Sequence, residues 1–381
     1  MTRPRRLLTI GHSYVVGLNR RLPHELARAG LGEWEVTAAA PTFVHGDLRP
    51  IQLEPFPGEL NRVVPLRAYL TRRPHVMVYG RELRKLLAEP WDMIHCWEEP
   101  YIFAGGQIAR WAGAQRLVYY TFQNIAKRYW PPFNWIEKTS LNRAAGWLAA
   151  GHTVQGALGT RPGYADKPHR VIPLGVDVDA FQPDPTARAA IRLKLGWAEP
   201  GPPVIGYLGR FIPAKGLGML TAALDALPSP WRALFVGGGP MEPELTEWAA
   251  RYSDGRVRIA TGVAHDAVPQ YLNAMDILAA PSQTTPKWKE QLGRMLIEAM
   301  ACGVAVVGSD SGEIPHVLGD TGEVVAEADT AAWTLAIGRL VENSKRRSER
   351  AAAGLARAHA VFAWPVIARQ HWNFFEELAP K

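Results

Sequence analysis

The chain has 381 residues, of which 47% are hydrophobic and 21% charged; this excludes a disordered polyelectrolyte and a single small binding module, and at about 150 residues per domain it points to two domains. Two cysteines, Cys96 and Cys302, exclude a disulfide-dense scaffold and a zinc site of paired cysteines, and fit a reducing cytoplasm. Lys and Arg number 43 against 36 acids, a net +7, which suits a phosphorylated small molecule, an anionic lipid or nucleic acid, although scattered surface charge gives the same total.

Leu7 to Ile10 is a short apolar run ending at Gly11, too short for a signal-peptide core. No stretch approaches the roughly 18 apolar residues of a membrane span, so the expectation is a cytoplasmic protein, bound at most to the inner face of a membrane. Leu18 to Leu31 reads as an amphipathic helix and Trp34 to Ala40 as a strand. The segment Arg67 to Lys85 bunches Arg67, Arg72, Arg73, Arg81, Arg84 and Lys85 around Tyr69, Val76, Val78 and Tyr79; it is either a solvated face or a face for an acidic or lipid partner. Strand and helix alternate again at Met93 to Cys96, Ile102 to Trp111, Leu117 to Thr121 and Trp147 to Ala150. Such alternation predicts a doubly wound parallel sheet. Tyr129, Trp130, Phe133 and Trp135 surround Pro131-Pro132 behind Lys127-Arg128, a cluster that either packs inside or seats a sugar ring or lipid headgroup.

The turn-rich Arg161 to Asp166 and the proline-rich Gln182 to Pro185 flank the expected domain boundary, with residues 1–178 on one side and 179–363 on the other. Strands then follow at Val204 to Leu208, Trp231 to Val236, Val257 to Ala260, Ile277 to Ala280 and Val304 to Val307, with helices at Gly218 to Leu227 and Pro243 to Tyr252. The last helix, Trp364 to Leu378, follows a break at Phe362 to Pro365 and is expected to return to the first domain, adding 364–381 to it.

The second half concentrates the chemistry. Arg210 and Lys215 lie on the loop leaving its first strand, the edge where open α/β sheets bind ligands, and two cations there clamp a diphosphate unless they are ordinary surface charge. Val236-Gly237-Gly238-Gly239-Pro240 is a tight turn or a place where a ligand nears the backbone. Glu290 precedes a helix opening at about Gly293, and Glu298 lies inside it. On one helix, eight residues would separate the acids by roughly 12 Å, beyond the roughly 5 to 9.5 Å of a glycosidase pair, so separate roles are expected.

In their order, Ile172-Pro-Leu-Gly-Val-Asp, Gly209-Arg-Phe-Ile-Pro-Ala-Lys-Gly216, Val236-Gly-Gly-Gly-Pro240, the pair Glu290 and Glu298, Glu298-Ala-Met-Ala-Cys-Gly and Ser311-Gly-Glu-Ile-Pro315 resemble glycosyltransferase family 4, the retaining nucleotide-sugar transferases of the GT-B fold. The resemblance is strong in the second domain and loose in the first. It implies two Rossmann-like domains facing across a cleft, an acceptor-binding first domain and a donor-binding second one. It implies that Arg210 and Lys215 neutralise the donor diphosphate, that Glu290 contacts the donor sugar, and that Glu298 holds the ribose. Gly209, Gly237, Gly238, Gln291, Leu292 and Gly293 would line the donor, Val263 and Ala264 the base, and Gly11 and His12 would face the diphosphate from the first domain.

The implied reaction moves a hexose from a nucleotide diphosphate sugar to a glycan, lipid-linked or small-molecule acceptor, in cell-surface polysaccharide or glycoconjugate synthesis, with no cofactor and no metal. Asp177-Val-Asp179 has the form of a metal motif, but it lies in the proline-flanked connection that the resemblance accounts for. Where many relatives have a histidine before Glu-Pro, this chain reads His95-Cys-Trp-Glu-Glu-Pro100. Either His95 is a core residue, or Trp97, Glu98 and Glu99 face the acceptor, the two acids otherwise capping a helix. A nucleotide-sugar epimerase or hydrolase, and a catalytically silent nucleotide-sugar-binding protein, are the alternatives; nucleic-acid binding stands behind both.

Overall fold

The computed structural model describes residues 3–46, 50–197 and 199–379. The chain forms two compact units, Met1–Pro173 with Trp364–Lys381, and Leu174–Ala363.

The first unit is built on a seven-stranded sheet of β1 (Arg5–Ile10), β2 (Trp34–Pro41), β3 (Arg62–Leu66), β4 (Met93–Cys96), β5 (Leu117–Thr121), β6 (Gly146–Ala149) and β7 (His169–Val171). Its order is β7-β6-β5-β4-β1-β2-β3 and every pair is parallel. Strands covered on both faces must be apolar throughout, and Leu7, Leu8, Ile10 and Ala38 to Ala40 are fully buried. The strand order reverses between β1 and β4, so the turns after them, Gly11–Ser13 and Trp97–Glu99, emerge side by side at the carboxyl edge. The helix Trp364–Glu377 belongs to this unit. It buries Ile367, Ala368, His371, Trp372, Phe374 and Phe375, and Trp372 Nε1 donates to the Leu26 carbonyl at 3.2 Å.

The second unit carries a six-stranded parallel sheet of β8 (Val204–Arg210), β9 (Arg232–Gly238), β10 (Val257–Ala260), β11 (Ile277–Ala280), β12 (Ala305–Ser309) and β13 (Glu323–Val325), in the order β10-β9-β8-β11-β12-β13. Here the order reverses between β8 and β11, and both are followed by loops that hold expected site residues.

Most expected strands are present with ends shifted by one or two residues. Leu18 to Leu31 instead divides into a 3₁₀ turn, Gly17–Arg20, and the helix Arg21–Ala29. Proline explains two further differences. The edge strand β3 carries Pro65, tolerated there because an edge leaves N–H groups unused. The expected linker at Pro185 is the start of a helix, Pro185–Lys194, because proline suits the first helical position and the Asp184 side chain accepts from Ala187 N at 2.9 Å. Asp177 likewise makes a turn, its Oδ1 accepting from Asp179 N at 3.2 Å and Ala180 N at 3.4 Å.

Candidate functional site

In the second unit the carboxyl edge of the sheet gathers the residues singled out in the sequence. Parallel register pairs Gly209 with Gly237 and Arg210 with Gly238, so the cationic loop and the glycine turn leave adjacent strands at the same level. Gly237 has φ of +152°, and a Cβ there would stand 1.8 Å from the Gly209 carbonyl oxygen; only glycine lets the two strand ends meet. Arg210 is exposed. Lys215 is buried at the end of the short turn Pro213–Lys215, and its Nζ donates to Glu290 Oε2 at 2.5 Å, 4.9 Å from the centre of the Trp288 ring.

Glu290 is held on several sides. Ser282 Oγ donates to the same Oε2 at 2.8 Å, and Glu313 N donates to the Glu290 carbonyl at 3.1 Å. The Gln291 to Gly293 segment leads into the helix Arg294–Ala301, with Gly293 in the left-handed region at φ +72° as its N-cap. Glu298, on that helix, is 7% exposed. Burial pushes its carboxyl above the usual range, and Arg294, 3.9 Å away and beyond hydrogen-bond distance, only partly opposes this. Val263 and Ala264 lie between Gly262 and the 3₁₀ turn His265–Ala267, where Ala267 N donates to the Ala264 carbonyl at 3.0 Å.

The first unit places a different arrangement at its sheet edge. Glu98 is fully buried, and its carboxylate accepts from His12 N at 2.6 Å, His12 Nδ1 at 2.6 Å and the Tyr79 hydroxyl at 2.5 Å. Burial pushes the Glu98 carboxyl up, but the His12 charge and these donors outweigh it and hold it below its usual value. The Glu98 charge in turn raises His12, against the desolvation of the ring. Glu98 is thus an interior group, with three donors of its own unit on its carboxylate. Glu99 also turns inward: Thr121 Oγ1 donates to it at 2.5 Å and Phe122 N at 2.7 Å, while burial carries its carboxyl to about 7. Neither acid caps the helix Phe103–Trp111, whose N-cap is Ile102.

Trp97 is 8% exposed, packed between Tyr14 at 5.1 Å and Tyr120 at 5.0 Å between ring centres, and Gly11 is small because a Cβ there would stand 2.9 Å from Trp97 Cβ. His95 is a core residue: fully buried, stacked on Tyr120 and held neutral by desolvation. Of the expected acceptor-side trio, then, Trp97 and Glu98 are interior groups, a correction to the reading of that loop. The His12 backbone N–H is likewise occupied by Glu98, so what His12 can offer an anion is its second ring nitrogen.

Comparison with known proteins bears on the class of this site. The family described as "Glycosyl transferases group 1" matches residues 202–343, and "Glycosyltransferase Family 4" matches residues 20–180. A GDP-mannose-dependent alpha-(1-6)-phosphatidylinositol monomannoside mannosyltransferase of Mycolicibacterium smegmatis is 34% identical over 260 residues, 65% of this chain and 67% of that protein. The chain belongs to glycosyltransferase family 4. The lipopolysaccharide core biosynthesis mannosyltransferase LpsB of Rhizobium meliloti is 30% identical over 232 residues, 58% of this chain and 64% of that protein. Among solved structures, the Anabaena protein HepE in complex with UDP aligns with a TM-score of 0.73 at 20% identity, over 98% of this chain and 100% of that one. A glycosyltransferase from Rickettsia africae aligns with a TM-score of 0.77 at 17% identity, over 99% of each chain. The fold is GT-B, two Rossmann-like domains.

For this family 4 glycosyltransferase, the sequence motifs led to Arg210, Lys215, Glu290 and Glu298 but not to the groups that hold them. Ser282 and Trp288, which flank the Lys215–Glu290 pair, stand in an irregular loop with no periodicity. Tyr79 lies 19 residues from Glu98 and His12 lies 86 from it, separations no local pattern reports. Among the described residues no group of three or more His, Cys, Asp or Glu is placed to hold a metal ion, and no helix is long and apolar enough to cross a membrane.

Proposed function

We propose that this family 4 glycosyltransferase transfers a hexose from a nucleotide diphosphate sugar to a lipid-linked or glycan acceptor, with retention at the anomeric carbon and without a metal, in cell-surface glycolipid or polysaccharide synthesis. The observation that carries this reading is the cluster of Arg210, the Lys215–Glu290 pair and Glu298 at one sheet edge. Mannose from GDP-mannose is the first donor to test, since that is the donor named for the Mycolicibacterium relative.

As the bond from the anomeric carbon to phosphate breaks, positive charge builds on the sugar and negative charge on the leaving diphosphate. Arg210 and Lys215 supply cations for that negative charge. Lys215 is already fixed by Glu290, so little reorganisation accompanies the reaction, which is where preorganised charge gains its effect. Glu290, held by Lys215 and Ser282, is assigned to the sugar hydroxyls, and the buried carboxylate of Glu298 to the ribose. Gly209, Gly237, Gly238, Gln291, Leu292 and Gly293 are assigned around the donor, and Val263 and Ala264 at the base. This assignment places the cationic work on side chains and asks no metal of the chain.

The test is to incubate the protein with GDP-mannose or UDP-glucose and a bacterial lipid extract in EDTA, with mass spectrometry and anomeric proton NMR of the product. A glycosylated lipid whose anomeric configuration matches the donor's is expected. Release of free sugar without an acceptor would favour the hydrolase reading, and donor binding without turnover the silent one.

A further inference from the structure

We infer that the groove between the helices Phe103–Trp111 and Phe133–Arg143 of the first unit is a docking site for an anionic lipid of a bilayer surface, the groove taking apolar chain and Arg110 taking the headgroup, while Arg143 donates to the Gly113 and Gln115 carbonyls. The groove is a cavity of about 600 Å³ walled by Val78, Phe103, Ile136 and Trp135, with Arg110 and Arg143 on its lining. Its floor is shaped by glycine: a Cβ at Gly106 would stand 2.6 Å from Ile136 Cγ2, so any larger residue would push the two helices apart.

What surrounds the groove distinguishes a lipid from a soluble ligand. Trp135 is 64% exposed and Trp130, just before the helix, 84% exposed. Tyr69, which pairs with the wall residue Val78, is 53% exposed, and Leu70 beside it 64% exposed. The turn after Leu70 is tied to the same face, His75 lying 5.8 Å from the Tyr101 ring and 6.2 Å from Phe133, while Tyr129 stacks on Tyr101 at 4.0 Å. Large apolar side chains left in water on one face mark an interaction surface, and tryptophan and tyrosine suit the boundary between headgroups and chains.

Charge selects among the possible occupants. Residues 67–79 and 126–136, which carry these aromatics except Tyr101, contain Arg67, Arg72, Arg73, Lys127 and Arg128 and no acid. An anionic membrane supplies both the negative potential and the apolar layer. A second copy of the chain would set like charges against each other. A single apolar or electrostatic contact holds a protein on a membrane only weakly, whereas the two together suffice.

This deepens the lipid-acceptor reading by naming the lipid-facing surface, but it needs no donor to test. Flotation of the full chain with vesicles of phosphatidylcholine alone, and with phosphatidylglycerol added, measures docking directly, in low and in high salt. Expected is at least about tenfold stronger binding to the anionic vesicles, weakened by salt, and a loss of about tenfold or more in the Trp130→Ser/Trp135→Ser double variant and in Arg110→Glu, with circular dichroism and melting temperature unchanged. No binding by the wild type, equal binding to both vesicles, or full binding by the double variant would each overturn the inference. So would a dimer in light scattering that Trp135→Ser dissociates. Transfer to a water-soluble mannoside, assayed separately, keeps its failure distinct from failure of the transfer reading.

Discussion

Glu98 and Glu298 are both buried carboxylates near the carboxyl edge of a parallel sheet, yet their environments push them in opposite directions. Glu98 receives three donors from its own unit and is held ionised; Glu298 has Arg294 at 3.9 Å and is pushed toward its neutral form. A carboxylate that takes three donors from its own fold is a structural and positioning group. One buried with a distant cation is suited to take donors from a ligand, and ribose hydroxyls are such donors.

The largest effects should fall on the cations of the second unit. Arg210→Ala and Lys215→Ala are each expected to lower kcat by roughly 10²–10³ in a transfer assay, the usual result of removing a preorganised donor to a developing anion. The two should separate in a melting experiment: Arg210 is exposed, so its loss leaves the fold unchanged, whereas Lys215→Ala leaves the Glu290 carboxylate buried without its lysine and lowers stability.

Next comes Glu98→Ala, which leaves the Tyr79 hydroxyl and the His12 donors without their acceptor. A loss of about 3 kcal/mol is expected in chemical denaturation. Glu298→Gln should behave in the opposite sense. A carboxyl raised by burial costs stability above its native value and nothing below the unfolded value, so at pH 7 the variant should melt at the same or a higher temperature while binding nucleoside diphosphate about tenfold less tightly. Equal destabilisation by both substitutions would break the contrast.

The smallest effect is a pH dependence. Glu98 is held low, so its contribution is present above the unfolded carboxylate range and is lost as pH falls through its lowered value. His12 is held high, so its contribution is present below 6.5 and is lost as pH rises through its raised value. The stability difference between wild type and His12→Gln should therefore be largest in weakly acidic buffer, about 1 kcal/mol given the half-exposed ring, and shrink toward alkaline pH.

Much of this was legible in the sequence because parallel strands are short apolar runs and because the donor-side motifs are local: Arg210 and Lys215 share a loop, and Glu290 and Glu298 share a loop-helix junction. β3 is masked by Arg62 and Pro65, and the helix at Pro185 by the proline that opens it, a residue equally common in linkers. The interior placement of Glu98 is not legible in the sequence for a different reason. Two adjacent acids look like surface chemistry in a sequence, but the register of β1 beside β4 brings the His12 turn onto Glu98 and makes it an interior group.

Calorimetric titration of GDP and UDP in EDTA, into wild type, Arg210→Ala and Glu298→Gln, tests the donor-site assignment most directly. Metal-free binding of one diphosphate, weakened at least about tenfold in both variants, is the predicted result. A diphosphate that binds Arg210→Ala and Glu298→Gln as tightly as wild type, or no diphosphate binding at all, would contradict it.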